Sequence, residues 1–176
     1  DPDAGLTEGQ ALMILEIGPK VRSFSRKASL GSVAFRRGRA RVIRFDKDYV
    51  VARIDKSCGP ATAGNALVPF VEKEGLLGRD LGFEGPLPGG ESVGRIVFFD
   101  NEMIQVGSGQ WALVDIGLEQ GLHVGQQLTI AHRAVEGLPL EAIANAVVID
   151  ADRLFSTIKV LSVKTVVGLC DPVYFK

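Results

Sequence analysis

The chain has 176 residues, of which 46% are hydrophobic and 23% charged: room for one ordinary domain or two small ones, and too apolar for disorder. No apolar run reaches the roughly 18–20 residues of a membrane-spanning helix, and a formal net charge of −1 argues against a chain whose overall field gathers nucleic acid. Twenty-one glycines beside two Met and one Trp point to a turn-rich β protein.

From the N-terminus, Asp1-Pro2-Asp3-Ala4 is polar and lacks the basic and apolar stretches of a signal peptide, and the chain reads as if it starts in mid-pattern. Leu12-Met13-Ile14 is a short strand after a glycine turn. Pro19 to Leu30, with Lys20, Arg22, Arg26 and Lys27, is expected as a mobile loop. Arg44 to Tyr49 reads as the turn of a hairpin. Gly75, Gly78, Gly82, Gly85, Gly89, Gly90 and Gly94, with Pro86 and Pro88, mark a linker or surface loop. Gly94–Phe99 and Met103–Val106 are expected to pair across Asp100-Asn101-Glu102, and Trp111–Ile116 is a strand ended by Gly117. Leu128-Thr129-Ile130 and a hairpin from Val148 to Val160, turning at Asp150-Ala151-Asp152-Arg153, complete the chain.

Self-comparison carries the strongest signal. Gly5-Leu6-x-x-Gly9-Gln10-x-Leu12-x-Ile14 recurs as Gly121-Leu122-x-x-Gly125-Gln126-x-Leu128-x-Ile130. Val42-Ile43-x-x-Asp46-Lys47-x-Tyr49-x-x-x-Arg53-Ile54 recurs as Val148-Ile149-x-x-Asp152-Arg153-x-Phe155-x-x-x-Lys159-Val160, and Ser57 and Gly64 answer Ser162 and Gly168 with small gaps. The expected architecture is all-β: two tandem, internally duplicated small barrel- or sandwich-like modules. The first spans 1–70, the linker 71–92 and the second 93–176, and the first lacks a counterpart to the Gly94–Gly117 strands. Leu12, Ile14, Val42, Ile43 and Ile54 should form one core, and Leu128, Ile130, Val148, Ile149 and Val160 the other. Gly5, Gly9, Gly121 and Gly125 should mark tight turns, some with positive φ.

Few residues suggest chemistry. Gly107-Ser108-Gly109-Gln110-Trp111-Ala112 fits a dinucleotide fingerprint, but a short β-like segment follows where a phosphate-binding helix is needed. His123 and His132 have no second ligand at helical spacing, and His123 answers Thr7 in the repeat, which makes it a turn residue. The pairs Asp46/Asp48 and Asp150/Asp152 lie in turns, where Asp caps backbone N–H groups. Cys58 and Cys170 are too few for a disulfide scaffold; buried free thiols are the ordinary reading, and pairing in an oxidising compartment stays open. No catalytic residue, metal site or cofactor is expected.

Charge is concentrated in one place. Arg36, Arg37, Arg39, Arg41 and Arg44 fall within nine residues, and on a strand Arg37, Arg39 and Arg41 share one face. Such a ladder is either a solvated face salt-bridged within the molecule or a stripe for an acidic or phosphate-bearing partner. No aromatic residue interleaves the run, so base stacking is not supported.

Gly94-Arg95-Ile96-Val97, Val114-Asp115-Ile116-Gly117 and Gly121-Leu122-x-Val124-Gly125-x-x-Leu128-x-Ile130 together resemble the C-terminal β-rich repeat module of LysM-containing bacterial cell-envelope proteins. The C-terminal domain of flagellar assembly protein T is similar. Ser156–Val160 and Gly168-x-x-Asp171-x-Val173 match its ending loosely, while Gln10 and Gln126 stand where Asp is usual. The resemblance implies an exported, non-catalytic binding or assembly module in the periplasm or at the outer membrane, with an envelope or peptidoglycan-associated partner. The alternative is an enzyme or ligand-binding domain with a site at the junction of the repeats.

Overall fold

In a computed structural model, described for residues 5–24, 29–73, 75–83, 87, 91–100 and 103–176, the chain is all-β. It divides into two units: residues 1–20 with 32–74, and residues 21–31 with 75–176. The strands β1 (Ala11–Arg22), β2 (Ser29–Phe45), β3 (Val50–Ser57) and β4 (Ala66–Pro69) form an open sheet in the order β3-β2-β1-β4. In the second unit β5 (Gly94–Phe99), β7 (Trp111–Val114), β8 (Gln127–His132), β9 (Glu141–Ala151), β10 (Ser156–Val163) and β12 (Pro172–Phe175) close into a barrel, β10-β7-β5-β12-β8-β9. β6 (Gln105–Val106) and β11 (Val167–Gly168) make a separate antiparallel pair.

The same ladder occurs in both units. β2 pairs with β3 as Gly38↔Ser57, Arg39↔Lys56, Ala40↔Ile54, Arg41↔Arg53, Val42↔Ala52, Arg44↔Val51 and Phe45↔Val50. Adding 106 to each number reproduces the pairing of β9 with β10, including both irregularities. Each ladder therefore carries an extra residue at Ile43 or Ile149 on one strand and at Asp55 or Leu161 on the other. β4 against β1 (Leu12↔Pro69, Met13↔Val68, Ile14↔Leu67) likewise matches β12 against β8 (Leu128↔Phe175, Thr129↔Tyr174, Ile130↔Val173).

The turns match as well. Gly9 N donates to Val42 O at 2.9 Å and Gly125 N to Val148 O at 2.8 Å. Gly5, Gly9, Gly121 and Gly125 have φ of 68°, 80°, 80° and 89°, the left-handed region in which a side chain is strained. The Asn65 side chain accepts from Thr62 N at 2.8 Å, and Asp171 from Gly168 N at 2.7 Å. From Gly38 onward the correspondence thus runs without gaps: Lys56 answers Ser162 and Thr62 answers Gly168, in place of the Ser57 and Gly64 matches.

Several expectations need correction. Ile43 is 42% exposed and Ile149 half-buried, because each directly follows a buried valine and alternation turns it to the other face; each is also the extra residue of a bulge. Ile54 is 52% exposed although its counterpart Val160 is fully buried. Gly94–Phe99 pairs with β7, not with Met103–Val106, and Gln105–Val106 pairs with β11. Asn101 and Glu102, the middle of the expected turn, lie outside the described residues. Strands β9 and β10 turn at Asp152–Phe155, two residues later than expected, with Asp152 N bonded to Phe155 O. Much of Pro19–Leu30 is strand rather than loop; Arg26 and Lys27 lie outside the described residues. Residues 75–83 belong to the second unit, while Gly85, Pro86, Pro88, Gly89 and Gly90 lie outside the described residues. Cys58 and Cys170 are unpaired, and both are exposed rather than buried.

The barrel core contains Ile96, Val114, Leu128, Ile130, Val148, Ile158, Val160 and Val173, all at 0% exposure. In the open sheet only Leu12, Ile14, Ala40 and Val42 along β1 and β2, with Val21 and Val33 farther out on these strands, are buried to a similar degree. Ile130→Ala should therefore cost about 2–5 kcal/mol in denaturant unfolding, and Ile54→Ala less than about 1 kcal/mol. Gly125→Val, forcing a branched side chain to positive φ, should cost more than about 1 kcal/mol. An unchanged thermal midpoint for Gly125→Val or Ile130→Ala would contradict this account.

Candidate binding surface

Alternation along β2 sends Gly38, Ala40 and Val42 inward and leaves Arg37, Arg39 and Arg41 half-buried on the other face. Their guanidinium groups are engaged within the first unit. Arg37 donates from Nε to Glu16 at 2.6 Å and lies 5.3 Å from the centroid of the Phe35 ring. Arg39 donates from Nε to Asp55 at 2.9 Å and lies 5.3 Å from the centroid of Phe70. Arg41 donates to Gly9 O at 2.7 Å and sits 3.7 Å from Asp55. Arg44 bonds Asp46 at 3.3 Å. Arg36 is exposed and also has an interaction partner.

The sequence placed these five arginines together but did not reveal Glu16 and Asp55. Asp55 is the bulge residue of β3, so the local bend aims its carboxylate where Arg39 and Arg41 both reach it. The Arg39 hydrogen bond holds the Asp55 carboxyl below its ordinary range, and Asp55 in turn raises Arg39. The Arg37 hydrogen bond likewise lowers Glu16. A guanidinium carries five N–H donors and one carboxylate accepts at most two from it, so pairing fixes these side chains without exhausting them.

The equivalent face of β9 has a different chemistry. Positions matching Arg37, Arg39 and Arg41 hold Ile143, Asn145 and Val147, and the first two are buried. Asn145 Nδ2 donates to Asp80 at 2.5 Å and to Gln127 at 2.6 Å, and Gln127 donates to Arg79 O at 2.7 Å. Gly82 N donates to Asp80 at 2.8 Å, and Lys176 Nζ bonds Gly82 O. Burial pushes Asp80 up, but the bonds from Gly82 and Asn145 outweigh it and leave its carboxyl lowered. Segment 79–82 is thereby fastened to the barrel through a polar network that sequence reading missed. Asp80 and Asn145 lie 65 residues apart, and no local pattern links them.

The other sequence candidates form structure. Gly107-Ser108-Gly109-Gln110 is a turn in which Gly107 N donates to the Gln110 side chain at 2.7 Å, Gly109 has φ +84°, and β7 follows. His132 Nδ1 is 2.7 Å from Asp171, whose other oxygen accepts from Gly168 N. His123 lies in the Gly121–Gly125 turn, its N–H donating to Gln126 at 3.3 Å as Thr7 donates to Gln10 at 2.9 Å. Asp115, fully buried, accepts from Arg95 N at 2.6 Å and Ser23 Oγ at 2.5 Å. Asp152 accepts from Arg153 N. Among the described residues there is no cluster of three metal-ligating side chains and no helix long and apolar enough to cross a membrane. No protein-family model matches the chain, and no curated protein matches it.

Glu16 and Asp55 take up protons less readily folded than unfolded, so their contribution is full above the ordinary carboxylate range and is lost as pH falls through their lowered folded values. The thermal midpoint of the first unit should fall as pH drops below about 5. A Glu16→Gln/Asp55→Asn variant should show a flatter profile. Parallel pH profiles for variant and wild type would remove these ion pairs from the account.

Proposed function

We propose that the chain is a non-catalytic binding or assembly module of the bacterial cell envelope that presents the arginine face of β2 to an acidic partner. One observation carries this reading. Two ladders of identical register differ in chemistry on one face, with Arg37, Arg39 and Arg41 where the barrel has Ile143, Asn145 and Val147. In the barrel, Asn145 is held in a polar network of its own unit and Ile143 packs in the apolar core. In the first unit it carries guanidinium groups braced by Glu16, Asp55 and Gly9 O on a rigid strand. Pre-set guanidinium groups bind carboxylate or phosphate with little further ordering cost.

Two further features support a non-enzymatic role. Asp46 and Asp152, two of the aspartates that suggested chemistry, sit at matching turns in both units, their backbone N–H groups bonded to Tyr49 O and Phe155 O. The turn-and-strand motifs resemble the repeat modules of LysM-containing envelope proteins, which gives the periplasm or outer membrane as the proposed location.

The test is capture of partners from bacterial envelope extract with the wild-type chain and with Arg37→Ser/Arg39→Ser/Arg41→Ser. Capture by the wild type should weaken as salt rises, because exposed charges are screened, and the variant should recover at least about tenfold less. Circular dichroism of the variant at the capture temperature establishes that it remains folded. Equal recovery by both folded proteins would remove the arginine face as the contact.

A further inference from the structure

The closed barrel and the open sheet are related by more than their common ladder. In the barrel, β12-β8-β9-β10 are consecutive, and β5 and β7 bridge β12 to β10. The first unit has the matching run β4-β1-β2-β3, in the same register, and ends at β4 and β3. It is the barrel without the two strands that close it. The positions those strands cover are uncovered here: Ile54 is 52% exposed against 0% for Val160, and Leu67 is 54% exposed against 0% for Val173. Apolar side chains at core positions, beside two sheet edges, are an unfilled strand site.

We infer that the first unit is completed by an antiparallel strand pair built like β5 and β7, carried on the same polypeptide immediately ahead of Gly5, and that this pair bridges β4 to β3. The turn into β1 argues for that source. In the barrel, the chain leaves β7, passes through the 3-10 turn Leu118–Gln120 and enters β8 by way of Gly121 and Gly125, both left-handed. The first unit keeps that entry: Gly5 and Gly9 are left-handed, Gln10 N bonds Thr7 O as Gln126 N bonds His123 O, and β1 follows. The pair would supply inward apolar residues of the type of Ile96, Phe99, Ala112 and Val114, all buried in the barrel. In the barrel, β7 meets β10 at Ser156–Lys159 and β5 meets β12 at Pro172 and Val173, which correspond to Val50–Arg53 and to Ala66 and Leu67. The inference is independent of the arginine face, which lies on the opposite side of β2.

The test places a second copy of residues 93–120 directly ahead of Gly5 in the otherwise full chain and follows amide hydrogen exchange. Amides in Val50–Ile54 and Ala66–Leu67 should exchange at least about tenfold more slowly than in the parent chain. A graft with Ser in place of the copied Ile96, Phe99 and Val114 should give no such gain. Adding Ile54→Ser/Leu67→Ser to the intact graft should cancel it. Protection of the native barrel amides reports that the grafted chain has folded, so unchanged exchange in β3 and β4 beside a protected barrel would overturn the inference. So would a parent chain that sediments as a dimer with β3 and β4 already protected, since a second copy would then fill the site. Protection of these strands by the free hairpin peptide, without protection by the joined copy, would overturn it equally.

Discussion

Single extra residues, inserted at the same places in each of two β ladders, set the strand register that both units share. At Ile43 and Ile149 the extra residue shifts the register of the ladder just beyond the buried Val42 and Val148. At Asp55 and Leu161 the second bulge bends the partner strand. Bulges increase local twist and curvature, and curvature is what allows a sheet of few strands to close on itself. In the barrel the curved ladder meets β5 and β7 and the core is sealed. In the first unit Ile54 and Leu67, at the positions of buried Val160 and Val173, stay exposed.

That difference organises the energetics. Each large aliphatic side chain buried in the barrel is worth about 1.5–3 kcal/mol relative to exposure. The first unit has the same residues at many matching positions but obtains this contribution along its two central strands, chiefly at Leu12, Ile14, Val33 and Val42. Its remaining cohesion comes from backbone pairing and from ion pairs across neighbouring strands, Arg37 with Glu16 and Arg39 with Asp55. Exposed pairs of this kind each contribute little. Their effect is positional: they fix where the guanidinium groups lie.

Most of the fold was legible because strand, turn and repeat are local signals. Gly5, Gly9, Gly121 and Gly125 announce left-handed turns, since few other residues adopt that conformation without strain, and the matching blocks around Val42 and Val148 lie on matching ladders. What stayed hidden was non-local or depended on one inserted residue. Ile43 and Ile54 read as core because they are apolar and lie in the repeated block; alternation next to buried Val42 turns the first outward, and the edge position of β3 leaves the second exposed. The pairing of β5 with β7 instead of Met103–Val106 could not be read from strand propensity, because both partners are apolar and close in sequence. Of the binding face, the arginines were visible as a cluster, whereas their carboxylate partners were not, because Glu16 and Asp55 lie on the flanking strands β1 and β3.

The face of β2 and the equivalent face of β9 show how one backbone plan supports two chemistries. Asn145 is fully buried and therefore must be hydrogen-bonded, and Asp80, Gln127 and Lys176 meet that requirement while fastening segment 79–82 over the strand. At the matching position Arg39 is partly exposed, and its charge needs no such cover. Phe70 and Lys176 occupy equivalent places after β4 and β12, and each contacts the residue on the long strand, through the ring face in one case and the amide oxygen in the other. A buried amide holds down a segment of its own chain, whereas a half-exposed guanidinium presents charge to solvent. The sequence difference between Arg39 and Asn145 therefore changes what the strand can contact while leaving its register intact.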